Sequence, residues 1–246
     1  VINVSTSDGV GIIELNRPER RNALDIATCR ELVDAAATVR ADGARAVVVA
    51  GSGPAFCSGA DFGEVYGEDF LDALYTALHA VADLPMPVVA AVTGPAIGAG
   101  LQLALACDLR VAAPEAVFGL PTARLGLAVD PWTIERLVQI AGGGTARSLL
   151  LACATVDAPT AHARGLADTL GDRAAAQAVA ADIATMAPLT LTYNKRSANA
   201  FGRGGHTGDG VVAALQEEFA ACWRSEDIVE GRTARAEKRA PVFRGR

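Results

Sequence analysis

The apolar residues of this chain fall in short uncharged runs that end in glycine turns, and these runs alternate with segments of helical spacing. Ile2 to Leu15 holds two alternating stretches around Ser7-Asp8-Gly9, and an Asp-Gly pair in that setting predicts a hairpin. Asn16-Arg17-Pro18 ends the second strand, and Asp25 is a favourable N-cap for a helix to about Arg40. Ala44 to Ala50, rich in valine, and Val88 to Val92, an uninterrupted apolar run, read as buried strands. Between them Glu68 to Asp83 has helical spacing and is closed by Pro85 and Pro87. A strand follows around Ala116-Val117-Phe118, and Asp130-Pro131 opens a helix with proline at its first position.

From Gly142 onward the spacing is helical throughout. Thr145 is expected to cap a helix to about Ala154, followed by Ala158 to Arg164 and an alanine-rich helix from Arg173 to Met186. Pro188 starts another, which Gly202-Arg203-Gly204-Gly205 breaks, and Ala213 to Trp223 and Ser225 to Lys238 complete the set. The expected organisation is an α/β core over residues 1–190 and a C-terminal helical segment over 191–246, with no linker between two folding units. The strand–turn–helix units suit quasi-repeats of one spiral, although their sequences are too dissimilar to establish a repeat.

Composition narrows the function. At 51% hydrophobic and 20% charged, 246 residues can bury a sizeable core in one large domain or a main domain with an extension. A net charge of -6 argues against general nucleic-acid binding. No apolar run approaches the roughly 20 residues of a membrane span, and no signal-peptide pattern opens the sequence. Cys29, Cys57, Cys107, Cys153 and Cys222 form no CxxC pair, and His79, His162 and His206 are equally scattered, so no metal-ligand spacing is present. Reduced, buried thiols in a cytoplasmic protein and histidines with surface or packing roles are expected.

Candidate chemistry lies at two glycine turns. Val88 to Val92 runs into Gly94, Gly98 and Gly100, and Leu101 to Cys107 continues as an apolar helix. Ala44 to Ala50 runs into Gly51-Ser52-Gly53-Pro54 and then Ala55-Phe56-Cys57-Ser58-Gly59-Ala60-Asp61-Phe62. A strand–turn–helix junction leaves unpaired N–H groups and a partial positive charge at one point. Two such turns can converge on one oxygen and form an oxyanion hole. Either turn alone is equally compatible with close strand–helix packing. The GxxxGxG spacing of Gly94 to Gly100 differs from the GxGxxG of dinucleotide sites, which excludes a nicotinamide cofactor.

With its flanks, the pair of turns resembles the enoyl-CoA hydratase/isomerase family, or crotonase superfamily. The likeness runs through Asn16-Arg17-Pro18 with Asn22-Ala23-Leu24, AFCSGADF, GPAIGAGLQLALACDLRVAA, Phe118-Gly119-Leu120-Pro121 and Ala236-Glu237-Lys238-Arg239. It implies a spiral of strand–strand–helix units whose C-terminal helices pack in a homotrimer or a hexamer. It implies an acyl-CoA thioester of fatty-acid metabolism as ligand, with no further cofactor and lyase or isomerase chemistry. The thioester oxygen would lie between the amides of Ala60 and Ala99, with Gly59, Asp61, Gly98 and Gly100 around the ligand. Ala23 and Leu24 match the segment that lines the CoA site. Lys238 matches a lysine that approaches the CoA phosphates of a neighbouring subunit, and is otherwise a solvated helix residue.

Two departures qualify the resemblance. The positions of the family's two hydratase glutamates hold Gln102 and Thr122. Hydration needs one group to take a proton from water and another to deliver one to carbon, and neither an amide nor a threonine hydroxyl does so near pH 7. Asp130 is the nearest ionisable candidate and matches an aspartate of the family's dienoyl-CoA isomerases and aryl-CoA dehalogenases; it is equally a helix N-cap. Arg124 is placed to pair with Asp130 or with Asp61. Leu101, Leu103, Leu120 and Trp132 are expected near the acyl end. Two readings remain: an acyl-CoA enzyme outside ordinary hydration, and a non-catalytic acyl-CoA carrier or sensor.

Overall fold

The structure, a computed structural model, describes residues 1–61, 63, 67–201 and 208–246. Phe62, His206 and the glycine break at 202–205 lie outside the described residues. Asp8 and Gly9 both take positive φ (51° and 77°), the geometry of a two-residue hairpin turn. Strands β1 (Ile2–Ser7) and β2 (Val10–Leu15) accordingly pair antiparallel from Ile2↔Leu15 to Ser7↔Val10. Asp25 caps α1 (Ile26–Ala41) through the Thr28 N–H, as the sequence predicts. Then come β3 (Ala46–Gly51), α2 (Glu68–Ala82), β4 (Val88–Val92), β5 (Pro95–Ile97), α3 (Ala99–Ala106), β6 (Leu109–Ala112) and β7 (Val117–Gly119). The C-terminal part contains α4 (Pro131–Leu151), β8 (Thr155–Asp157), α5 (Ala158–Ala163), β9 (Thr169–Leu170), α6 (Arg173–Ala184), α7 (Pro188–Phe201), α8 (Asp209–Arg224) and α9 (Glu226–Glu237). Residue 191, where the sequence places the start of the helical segment, lies within α7.

The strands form a six-stranded sheet in the order β1-β2-β3-β4-β6-β9 and a three-stranded sheet in the order β5-β7-β8. Pairing from β2 to β9 in the larger sheet is parallel. Strand β4 feeds β5 of the smaller sheet and then α3; β6 feeds β7 and then α4. The two earlier turns of the chain follow the same path with single bridges, Leu24↔Ala60 and Cys57↔Ala96, in place of a short strand. The result is the expected spiral of strand–strand–helix units. Burial on both faces explains why β3 and β4 lack alternation: every residue of each is buried, with α6 covering one face and the main core on the other.

Several local expectations change. Strands β8 and β9 lie in the stretch after Gly142 whose spacing reads as helical throughout, each too short to show a strand pattern. Thr145 does not cap a helix, because α4 continues through it; the break lies at Gly142 (φ 74°, ψ 158°), where only glycine leaves the helical path without strain, and Thr145 is buried in the second half. The stretch after α3 holds β6, unforeseen because Arg110 interrupts its apolar pattern. That guanidinium is buried, donating to the carbonyls of Leu166 (2.7 Å) and Cys107 (3.1 Å) and pairing with Asp168 (2.8 Å). Finally, α3 starts at Ala99, with Gly98 at its N-cap. No single described helix is long and apolar enough to cross a membrane.

Candidate active site

Both glycine turns end on one cavity of about 380 Å³. Ser58, Gly59 and Ala60 line it from one turn, Ile97, Gly98, Ala99 and Gln102 from the other. Gly98 reverses the chain at φ 56°, ψ -120°, which leaves Ala99 as the first helical residue and its N–H as one of the unsatisfied donors of the helix start. Gly59 lies directly opposite: a β-carbon there would come 3.9 Å from the Ala99 nitrogen. Leu24 fixes the first turn, its N–H donating to the Gly59 carbonyl (2.8 Å) and its carbonyl accepting from the Asp61 N–H (2.7 Å). Since successive peptide groups of an extended chain point to opposite sides, the intervening Ala60 N–H points away from Leu24. Ala23 and Leu24 are both buried, and it is Leu24 that bridges to Ala60.

The motif polar residues around this turn are staples. Arg17 donates to the Ala23 carbonyl (2.9 Å) and pairs with Asp25 (2.6 Å) and Asp61 (3.8 Å). Asp61 therefore has Arg17 as its partner, and Arg124, the partner suggested by sequence, is exposed. Buried Asn22 donates to the carbonyls of Ser52 (2.9 Å) and Ala55 (2.8 Å) while accepting from the Arg17 N–H (2.9 Å).

Gln102 and Thr122 both reach the cavity, Gln102 from α3 and Thr122 from the short 3-10 turn Thr122–Leu125. Gln102 is buried and its Nε2 donates to Thr133 Oγ1 at 2.9 Å. Asp130 caps α4: its carboxylate accepts from the N–H groups of Trp132 and Thr133, both at 3.2 Å, while its neighbour Val129 lines the cavity. Of the two roles open from sequence, capping is the one these bonds fill. Lys238 ends α9 in the left-handed region (φ 55°), is exposed, and is not among the residues lining this cavity.

The apolar wall of the cavity is not the one the sequence suggests. Leu101, Leu103 and Leu120 are fully buried in the core, because α3 is enclosed on all sides. Trp132 stacks on His79 (centroids 4.8 Å apart) and lies under Arg136. The apolar wall comes instead from Phe70, Leu71 and Leu74 of α2 and from the loop Leu125 to Val129. Tyr75 is the functional candidate that sequence reasoning missed. Burial pushes its hydroxyl pKa up, and the nearby Asp130 carboxylate adds to this, against hydrogen bonds from Gln102 and the Asp130 N–H. The signal was present in the spacing, since Leu71, Leu74 and Tyr75 follow the i, i+3, i+4 rule of one helix face.

Among the described residues no cluster of His, Cys, Asp and Glu is arranged to hold a metal ion. The five cysteines are free, and burial pushes the Cys57 and Cys107 thiols up to about 12. His162 bonds the Ala167 carbonyl (3.1 Å), a packing role like that of His79.

Comparison with known proteins agrees with this geometry. The sequence profile of the family described as enoyl-CoA hydratase/isomerase matches residues 5–246. A Mycobacterium tuberculosis protein named "Probable enoyl-CoA hydratase echA6" is 44% identical over 250 residues, covering 100% of both chains. Human mitochondrial enoyl-CoA hydratase domain-containing protein 2 is 34% identical, over 97% of this chain and 86% of its own. Among solved structures, an enoyl-CoA hydratase/carnithine racemase from Magnetospirillum magneticum superposes with a TM-score of 0.90 at 30% identity, covering 100% of this chain and 96% of that one. With the spiral, the paired turns and a match along almost its whole length, the chain belongs to the enoyl-CoA hydratase/isomerase family.

Proposed function

We propose that this protein binds acyl-CoA thioesters, with the thioester oxygen between the N–H groups of Ala60 and Ala99 and the acyl chain along Leu71, Leu74, Leu127 and Val129. The observation that carries the reading is the convergence of the two glycine turns on one largely apolar cavity. Two backbone donors stabilise negative charge on a thioester oxygen without a reactive side chain. Ordinary hydration is not the activity, because Gln102 and Thr122 stand where proton-exchanging groups are needed. The second reading, a non-catalytic acyl-CoA carrier or sensor, is favoured by the commitment of Asp130 to the start of α4. Phe219 and Trp223 expose apolar surface on α8, at 48% and 63%, in keeping with assembly into a homotrimer or hexamer.

Ala99→Pro tests the oxygen site. Position 99 is the first of a helix, where proline is tolerated; it replaces the N–H with the ring Cδ. A saturated acyl-CoA, followed by titration calorimetry, should bind about tenfold more weakly to the variant, the cost of one buried acceptor left unpaired. Unchanged affinity in a folded variant would refute the two-amide site.

A further inference from the structure

Helix α3 carries the Ala99 N–H at one end and meets two arginines at the other. All eight of its residues are buried, which leaves its last carbonyls dependent on protein donors. The C-cap is Cys107 in an extended conformation (φ -73°, ψ 155°), not a glycine in the left-handed region. The donors come from side chains. Arg136 of α4 gives its Nε to the Leu105 carbonyl (3.0 Å) and its Nη2 to the Cys107 carbonyl (3.2 Å). Arg110 of β6 gives its Nη1 to the same Cys107 carbonyl (3.1 Å) and to that of Ala104 (3.4 Å).

Each guanidinium is itself held in place. Arg110 pairs with Asp168, and Arg136 lies over the Trp132 ring (5.8 Å to its centroid) while its Nη1 donates to Asn199 Oδ1 of α7 (2.8 Å). Both therefore sit at the negative end of the α3 dipole, about 12 Å from its positive end for a helix of this length. Because α3 is enclosed, little water screens that distance, and charge at one end is felt at the other. A cation on the last carbonyls offsets the negative end and leaves the positive end less opposed.

We infer that Arg136 is a positioning residue of the oxygen site: its guanidinium on the Leu105 and Cys107 carbonyls offsets the negative end of α3 and so strengthens the Ala99 N–H, at the opposite end, as a donor to the thioester oxygen. The inference rests on the acyl-thioester reading above. Arg136 is not among the residues lining the cavity, so it acts through α3 and not by contact with the ligand. A charge at a helix end is worth about two- to fivefold in an equilibrium. Removing Arg110 would also break its ion pair with Asp168, which makes Arg136 the arginine to test.

Two readouts isolate the oxygen contact. The first is the affinity ratio of hexanoyl-CoA to S-hexyl-CoA, a thioether without the carbonyl oxygen, from titration calorimetry. The second is the infrared carbonyl stretch of bound, isotope-labelled hexanoyl-CoA, which falls in frequency as the oxygen accepts stronger hydrogen bonds. Arg136→Gln keeps a neutral donor in place of the cation, and Arg136→Lys keeps the cation without the planar fork. In Arg136→Gln the ratio should drop about two- to fivefold, and the stretch should move back toward that of the free ligand. Arg136→Lys should retain most of both. If Arg136→Gln does not fold, Arg136→Met is the second neutral variant. A merely structural role would weaken both ligands alike and leave the ratio and the stretch unmoved. Parent values in the neutral variant overturn the inference, as does an equal loss in Arg136→Lys. A parent that binds hexanoyl-CoA with the stretch of the free ligand removes the oxygen site itself, and this inference falls with it.

Discussion

Gly100 packs so closely on Cys57 that a β-carbon at position 100 would lie 2.1 Å from the Cys57 carbonyl oxygen. The contact joins the two turns of the proposed oxygen site, since Gly100 follows Ala99 and Cys57 precedes Gly59 and Ala60 in their own segments. The obstructing atom is backbone, in a segment anchored by the Ile97 N–H to Cys57 carbonyl bond (3.0 Å), and it has no cheap way to move aside.

Gly100→Ala should therefore destabilise the protein by about 1–3 kcal/mol, the usual range for overpacking, despite alanine's better helix propensity. Urea unfolding measures it, and a neutral or stabilising result would mean that the two turns are not rigidly coupled.

A pH effect follows from Asp25, the cap of α1. Burial pushes its carboxyl up, but hydrogen bonds from the Thr28 N–H and hydroxyl together with the Arg17 guanidinium outweigh this and hold it below the usual carboxylate range. A depressed folded pKa gives stability that is present above the unfolded value, about 3.9, and lost as pH falls through the folded value. Stability should accordingly fall with acidification below about pH 4, and Asp25→Asn should flatten that slope while losing stability at pH 7. Chemical denaturation at several pH values checks both. Equal slopes in parent and variant would remove Asp25 from the acid response.

Much of this was legible in the sequence for identifiable reasons. Val88 to Val92 declared a buried strand because both faces are covered. Asp8-Gly9, Asp25 and Asp130-Pro131 declared a turn and two caps because their chemistry is local. Gly59, Gly98 and Gly100 marked the two turns because only glycine fits those backbones. What was not legible depends on contacts distant in sequence. The acyl-side wall comes from α2 and the Leu125 to Val129 loop, brought together only by the spiral. Leu101 and Leu103, adjacent to the site in sequence, point into the core instead. The bonds from Asp130 N–H to the Tyr75 hydroxyl and from Gln102 to Thr133 join different elements, and no spacing rule predicts them.

The thiols offer a direct check on burial. Cys29, Cys57 and Cys107 are buried, and desolvation of the thiolate pushes Cys57 and Cys107 up to about 12, far from reactivity at pH 8. In the native protein a disulfide reagent should modify only Cys153 and Cys222, the two that are half-buried. The remaining thiols should appear on adding guanidinium. Rapid native modification of Cys57 would mean that the turn next to the cavity opens readily.

Crotonyl-CoA hydration is the prediction on which the chemical reading depends most. The paired amides can polarise the thioester, but hydration also requires proton exchange with water and with the α-carbon. General acid–base groups contribute about 10²–10⁴-fold each, so lacking both leaves the parent with little beyond polarisation. Gln102 and Thr122 line the same cavity, so Gln102→Glu with Thr122→Glu would place two carboxyls on one ligand. The double variant should hydrate crotonyl-CoA at least about 10²-fold faster than the parent, read as loss of the enoyl thioester absorbance. Position 102 carries a cost, since a carboxylate cannot donate to Thr133 Oγ1 as the amide does. Part of the gain will therefore depend on how far the new carboxyl turns toward the cavity, where it is needed. Robust hydration by the parent would show that a group already present exchanges protons with the ligand. Its abolition by Asp130→Asn would identify that carboxyl as the group, and its capping bonds to Trp132 and Thr133 as its resting state rather than its whole role.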